Sequence, residues 1–179
     1  MPVEIRPETF SLVHFDATEI RAIVEQLVEV IGLPAASVTI EVDETTLLAH
    51  AQVTSTDPIV IAVESGALED PKVVGQLNAT ATADVLGKLL LSAKDRLDPA
   101  FGEAPADADL TLSEVAAWET YCIGRLGRLG HHVQRQRRLY QFRNRHGFTD
   151  AADAAFDSLW TADGLTWADI SAISNQATA

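Results

Sequence analysis

Val38-Thr39-Ile40-Glu41-Val42-Asp43 alternates apolar and polar residues, and Ile59-Val60-Ile61-Ala62-Val63-Glu64, opened by Asp57-Pro58, is nearly all apolar. Strict alternation reads as a strand with one buried face, whereas a continuous apolar run reads as a strand buried on both sides. The first is therefore a half-buried strand ending in a polar turn, and the second is a central strand. Between them, Leu47 to Thr54 reads as the hairpin partner of the first strand. This stretch decides the fold class, because three short strands this close together form a small sheet.

Helical patterns flank the strands. Ile20, Ile23, Val24, Leu27, Val30 and Ile31 recur at three- and four-residue spacing, behind a capping signature at Asp16-Ala17-Thr18-Glu19. Gly32 and Pro34 stop the pattern, which predicts a helix over 17–31. After Gly66 and Asp70-Pro71, which mark a loop, a long helix is predicted from Asn78 to Leu97, with Val85, Leu86, Leu89, Leu90, Ala93 and Leu97 on its inner side. At Asp98 the composition changes. Pro99, Gly102 and Pro105, with Asp98, Glu103, Asp107 and Asp109, read as a solvated acidic linker. Beyond it the patterns are purely helical. Ser113 is the expected cap of a helix bearing Val115, Trp118, Cys122, Leu126 and Leu129. A second helix runs Val133 to His146 and closes at Gly147. Thr149 caps a third, and Thr166 with Asp169 caps a short last one. The predicted architecture is α+β: an α-β-β-β-α unit with a small mixed or antiparallel sheet over 1–100, a linker over 101–112, and a helical unit over 113–179.

Charge is distributed very unevenly. Residues 1–124 carry 6 Lys and Arg against 21 Asp and Glu, and residues 147–179 carry five Asp and no base. Between them, Arg125, Arg128, Arg135, Arg137, Arg138, Arg143 and Arg145 face no intervening acid, and His131, His132 and His146 accompany them. The net charge of −13 argues against binding nucleic acid or anionic lipid over the whole surface, so any such contact must be local. Helical spacing places Arg135, Arg138, Phe142 and Arg145 together and turns Arg137, Gln141 and Asn144 elsewhere. Guanidinium groups fork carboxylates and phosphates, and Tyr140 and Phe142 add ring faces. Two readings follow. The arginines form ion pairs that lock the helical unit onto the acidic first unit or onto another subunit, or Arg128, Arg135, Arg138 and Arg145, with Tyr140, Phe142 and His146, meet an anionic partner. The break at Gly130 keeps all seven from facing one ligand. The tandem Gly124-Arg125-Leu126-Gly127-Arg128-Leu129-Gly130 matches no phosphate-loop pattern and reads as a small-residue face approached by another backbone.

Chemistry-bearing motifs are weak. Cys122 is the single cysteine, which rules out an intrachain disulfide and a Cys-based zinc site, and its apolar helix face makes it a core residue. The five histidines form no i, i+4 pair, and no Ser lies in a nucleophile elbow. No catalytic residue, metal site or cofactor is expected. The longest clean apolar run, Ile59 to Val63, is far short of the ~20 residues of a membrane span. The charged N-terminal decapeptide does not resemble a secretory signal, so a cytoplasmic location is the expectation.

Residues 16–95 run helix, strand, hairpin strand, strand and long helix, with Ser65-Gly66-Ala67-Leu68-Glu69-Asp70 joining the last strand to the long helix. This order resembles that of small zincin-like metallopeptidases, whose long helix carries two zinc-binding His and a catalytic Glu. The matching helix here reads Val85-Leu86-Gly87-Lys88-Leu89-Leu90-Leu91-Ser92-Ala93-Lys94 and holds none of these ligands. The resemblance covers less than half the chain and implies a fold reused without the metal chemistry. The functional expectation is a non-catalytic binding or assembly module that meets a protein partner or a second copy of itself, with RNA or DNA as a further anionic candidate. The alternative is a small enzyme holding a phosphorylated or carboxylated substrate on the same arginines.

Overall fold

The computed structural model describes residues 1–34 and 37–177. Ala35, Ala36 and the last two residues of the predicted helical unit, Thr178 and Ala179, lie outside the described residues. The chain divides into two compact units, Met1–Leu97 and Asp98–Ala179. The fold is α+β, with a small mixed sheet in the first unit and helices in the second.

In the first unit the elements are β1 (Val3–Arg6), α1 (Ala17–Ile31), β2 (Val38–Asp43), β3 (Ala51–Thr56), β4 (Ile59–Glu64), a 3-10 turn (Ser65–Ala67), β5 (Glu69–Asp70), β6 (Val73–Leu77) and α2 (Ala79–Leu97). The sheet order is β1-β2-β4-β3. β1, β2 and β4 run parallel, and β3 is antiparallel to β4. β5 and β6 form a separate two-stranded ribbon. Ile5, Val38, Ile40, Val42, Ile59, Ile61 and Val63 are all buried and alternate along their strands, so one face of the sheet carries the core. Helices α1 and α2 pack against one another. Lys94 Nζ donates to the Ile31 carbonyl at 2.6 Å, tying α2 to the end of α1. Gly32 ends α1 in a left-handed conformation (φ 64°), and its N–H closes on the Val28 and Glu29 carbonyls.

The apolar run at 59–64 is central, between β2 and β3. The hairpin differs from expectation: β3 pairs with β4 and spans Ala51–Thr56 instead of beginning at Leu47. Leu47 and Leu48 are exposed, because their backbone runs over the 3-10 turn instead of entering a ladder. A Cβ on Gly66 would lie 2.0 Å from the Leu47 carbonyl oxygen, and Ser65 Oγ donates to the Thr46 carbonyl at 2.9 Å. The loop thus approaches at a distance only glycine permits. The fold also adds β1 ahead of the first predicted helix, as a parallel edge strand beside β2.

The second unit holds α3 (Leu112–Arg128), α4 (Arg135–His146), α5 (Asp150–Thr161) and α6 (Trp167–Ala177). Its cap at the start of α3 is Thr111, not Ser113. The Thr111 hydroxyl accepts from Glu114 N–H at 3.2 Å and the Glu114 carboxylate accepts from Thr111 N–H at 3.0 Å, a complete capping box. Thr149 and Thr166 cap α5 and α6 as their sequence implies. Phe101, in the stretch read as solvated linker, is buried. Its ring stacks on Trp118 at 5.2 Å, and its carbonyl accepts from Trp167 N–H at 2.8 Å. Trp118 in turn meets Trp167 at 5.3 Å. One aromatic inside an acidic Pro/Gly-rich stretch is enough to anchor that stretch to the core. Gly124 lies where α3 meets α5: a Cβ there would sit 2.2 Å from the Trp160 carbonyl oxygen. Of the small-residue tandem, Gly124 alone serves a close backbone approach; Gly127 meets the Val133 side chain and Gly130 has nothing within 4 Å.

Candidate functional site: the arginine-rich helix

Four of the seven clustered arginines engage carboxylates of the helical unit itself. Arg128 spans the end of α5: its Nη1 donates to the Trp160 carbonyl, and its Nη2 to the Ala162 carbonyl (2.6 Å) and Asp163 (3.0 Å). The last carbonyls of a helix have no partner within it and carry its partial negative charge, so a guanidinium is suited to that place. Arg135 pairs with Asp157 and lies over the rings of Phe156 (5.2 Å) and Trp160 (5.8 Å). Arg138 bonds Gln141 at 3.1 Å and stands 4.0 Å from Glu119. Arg143 grips Asp153 with Nε at 2.7 Å on one oxygen and Nη2 on the other, the forked geometry that Lys cannot make. Hydrogen bonding to Arg143 holds the Asp153 carboxyl below its ordinary range, and the same bond raises the guanidinium. Arg125 is committed too: its Cζ lies 3.9 Å over the Tyr121 ring, with Nη2 3.4 Å from Cys122 Sγ. The acids involved, Glu119, Asp153, Asp157 and Asp163, belong to the helical unit, whereas the charge count of the chain had suggested pairing with the acidic first unit.

Two of the named site residues are core. Phe142 is buried, stacks on His146 at 3.9 Å and meets Phe156 edge-on at 5.7 Å. His146 is buried between α4 and α6, with Nδ1 3.2 Å from the Phe142 carbonyl and Nε2 2.9 Å from Ser174 Oγ. Burial pushes its imidazole below the usual histidine value, partly offset by the Phe142 carbonyl, which favours the charged form. The carbonyl accepts from Nδ1–H, so Nε2 is left to accept from the Ser174 hydroxyl.

Leu139, Phe142 and His146 therefore define the inward side of α4. At 3.6 residues per turn the opposite side carries Arg137, Tyr140, Gln141 and Asn144, flanked by Arg145, and all five are exposed. Tyr140 and the exposed Phe148 form an edge-to-face pair at 5.7 Å, and the Arg143 guanidinium lies 5.9 Å over Phe148. Among the described residues no ion pair holds Arg137 or Arg145. Of the residues the sequence singled out, Arg145 and Tyr140 thus lie on the outward side, Arg128, Arg135 and Arg138 serve internal contacts, and Phe142 and His146 face inward. Arg137 and Phe148 belong with the outward group and were not singled out. Placing Leu139, Phe142 and His146 on one stripe would have found Arg137, because the three recur at helical core spacing.

Among the described residues no group of three His, Cys, Asp or Glu is placed to hold a metal ion, and no helix is long and apolar enough to cross a membrane. Comparison with protein-family models, with curated proteins and with solved structures found no match.

Proposed function

We propose that this protein is a non-catalytic binding or assembly module whose α4 offers its outward side to the acidic surface of a protein partner. Five arginines brace the helical unit internally. Arg137 and Arg145 lie on or flanking the same outward side of α4 as Tyr140, which pairs with the exposed Phe148, on a stretch that contains no carboxylate. That juxtaposition carries the reading. Large hydrophobic surface is normally removed from water, and rings bordered by guanidinium groups are the composition that dominates binding energy at interfaces. The buried, doubly hydrogen-bonded state of His146 speaks for the module over an enzyme, since the nearest imidazole is not presented beside these arginines.

The experiment is a titration of the full chain with a labelled polyglutamate peptide and with single-stranded RNA, each at two salt concentrations. Salt-sensitive binding of the acidic peptide, weakened by Arg137→Glu/Arg145→Glu, supports the reading. Preferential binding of RNA with a log–log salt slope of about −1.4, the value for two phosphate contacts on a single strand, would replace the protein partner with a nucleic acid. No binding of either at low salt would refute an anion-binding face.

A further inference from the structure

The acids of the helical unit are largely taken. Glu119, Asp153, Asp157 and Asp163 hold arginines, and Glu114 and Asp169 complete helix caps. The first unit carries six Lys and Arg against fifteen Asp and Glu, and one of its helices displays acids that hold nothing. The stripe Ile20, Val24, Leu27 and Ile31 is buried and fixes which side of α1 faces out. On that outer side Glu19, Ala22, Glu25, Gln26, Glu29 and Val30 are exposed. Among the described residues no ion pair holds Glu19, Glu25 or Glu29. Arg21, the one base of α1, is half-buried, and its Nε donates to the Val3 carbonyl at 3.3 Å. Glu25 and Glu29 stand four residues apart, and like charges so spaced weaken a helix unless a cation lies near them.

The outward sides of α1 and α4 are complementary in charge and in order. α1 has 15 residues and α4 has 12, so the two can lie side by side over most of their length. Set parallel with Arg137 level with Glu19, Tyr140 comes level with Ala22, Asn144 with Gln26 and Phe148 with Val30, because every pair keeps the same offset. Arg145 then falls between Glu25 and Glu29. At ~1.5 Å per residue, Arg137 and Arg145 are ~12 Å apart and Glu19 and Glu29 ~15 Å, so both guanidinium groups reach a carboxylate at once. The exposed ring of Tyr140 meets the smallest side chain on the acidic side, which leaves room for it between the helices. A central aromatic seated in a hollow and bordered by polar contacts is how interfaces concentrate binding energy. Val30 and Phe148, the latter just past the end of α4, are both exposed and would be covered together.

We infer that the outward side of α4 docks on the exposed side of α1 of a second copy of this chain. The inference rests on the reading of α4 as a binding face and names its partner. Every copy carries both surfaces, so two copies close on each other by making the contact twice, or successive copies continue it. Exposed charges supply much of the attraction, so association is strongest at low salt and is screened as salt rises.

The test is sedimentation velocity of the full chain over a range of concentrations at low and high salt, with two charge-reversed variants. The parent should associate as concentration rises, and less so at high salt. Arg137→Glu/Arg145→Glu and Glu19→Arg/Glu29→Arg should each weaken self-association by about tenfold or more, since two attractions become repulsions. Mixed in equal amounts, the two variants should associate again, because each then offers the charge that the other lacks. All four positions are exposed, so both variants should keep the parent's circular dichroism. Should one of them unfold, the single exposed change Ala22→Arg, which sets a cation opposite Tyr140 and between the two arginines, decides in its place by weakening association. A mixture that associates no better than its components, or an α4 variant that associates as the parent does, would overturn the inference. A parent that stays monomeric at every concentration yet binds the polyglutamate peptide would exclude the second copy and leave α4 an anion-binding face. A parent that does neither would remove both.

Discussion

Replacing Gly124 with Ala should destabilise the helical unit, although Ala is the better helix former. In an unconstrained helix the exchange gains about 1 kcal/mol. Here the new methyl group would lie 2.2 Å from the Trp160 carbonyl oxygen, 2.9 Å from its carbon and 3.0 Å from its Cα. All three are backbone atoms of α5, so relief requires the two helices to part by more than an ångström. That movement would also disturb Arg128, which bonds the Trp160 and Ala162 carbonyls on the same side of α5. Overpacking of a well-filled site costs about 1–3 kcal/mol, and a backbone overlap of this size belongs at the upper end. The net loss is then about 2 kcal/mol, or roughly 8–16 °C in the midpoint of a unit this small. Trp118, Trp160 and Trp167 are the chain's three tryptophans and all lie in this unit, so tryptophan fluorescence during denaturant unfolding reads it selectively. Gly127→Ala is the internal control. Its methyl group would meet only Val133 Cγ2, at 2.8 Å, the end of a side chain that can rotate away. Its effect should lie within about 1 kcal/mol of zero, the size of the propensity gain that opposes the contact. If Gly124→Ala proved as stable as the parent, the close crossing of α3 and α5 would be wrong.

Three further outcomes follow from local geometry. Thr111→Ala removes the capping box of α3 and should cost about 1 kcal/mol, read as a lower midpoint of the same fluorescence transition. Arg128→Lys keeps the charge but cannot span two carbonyls and Asp163 together, and should lose about 1–2 kcal/mol, with Arg128→Ala losing at least as much. His146 titrates below its ordinary value because it is buried, so the unfolded chain takes up its proton first as pH falls. Its contribution is fully present above the unfolded value near 6.5 and declines as pH drops towards the lower folded value. Unfolding midpoints measured from pH 7.5 downward should show this loss in the parent and a smaller one in His146→Gln.

Much of the architecture was legible because it is locally encoded. Asp16 caps α1, the apolar run Ile59–Glu64 made a central strand, and Thr149, Thr166 and Gly147 bound their helices as their types demand. The misses have physical causes. β1 contributes four residues with one buried side chain, Ile5, and its partner β2 lies more than thirty residues away, so no local period marks it. The hairpin shifted because Gly66 draws the Leu47–Leu48 backbone over a turn, a tertiary contact that strand propensity does not contain. Phe101 was hidden by its acidic, Pro/Gly-rich neighbours. In the arginine segment, composition identified the right stretch but not its division. That division depends on which side of α4 is buried, and the stripe Leu139, Phe142 and His146 settles it. Choosing Arg135, Arg138, Phe142 and Arg145 as one binding face placed a core ring among surface charges. The acids that hold Arg128, Arg135, Arg138 and Arg143 lie from ten to thirty-five residues away within the same unit, so the bulk charge count could not identify them.

The central claim is that these arginines divide into an internal brace and an outward binding face. It is tested most directly by measuring, on the same two variants of the full chain, both unfolding stability and affinity for the polyglutamate peptide. Arg137→Glu/Arg145→Glu should abolish peptide binding and leave the tryptophan unfolding midpoint unchanged, while Arg128→Ala/Arg143→Ala should lower the midpoint and leave the affinity of the folded protein intact. If the outward pair altered stability without altering binding, or the inner pair governed binding without altering stability, the division would be contradicted.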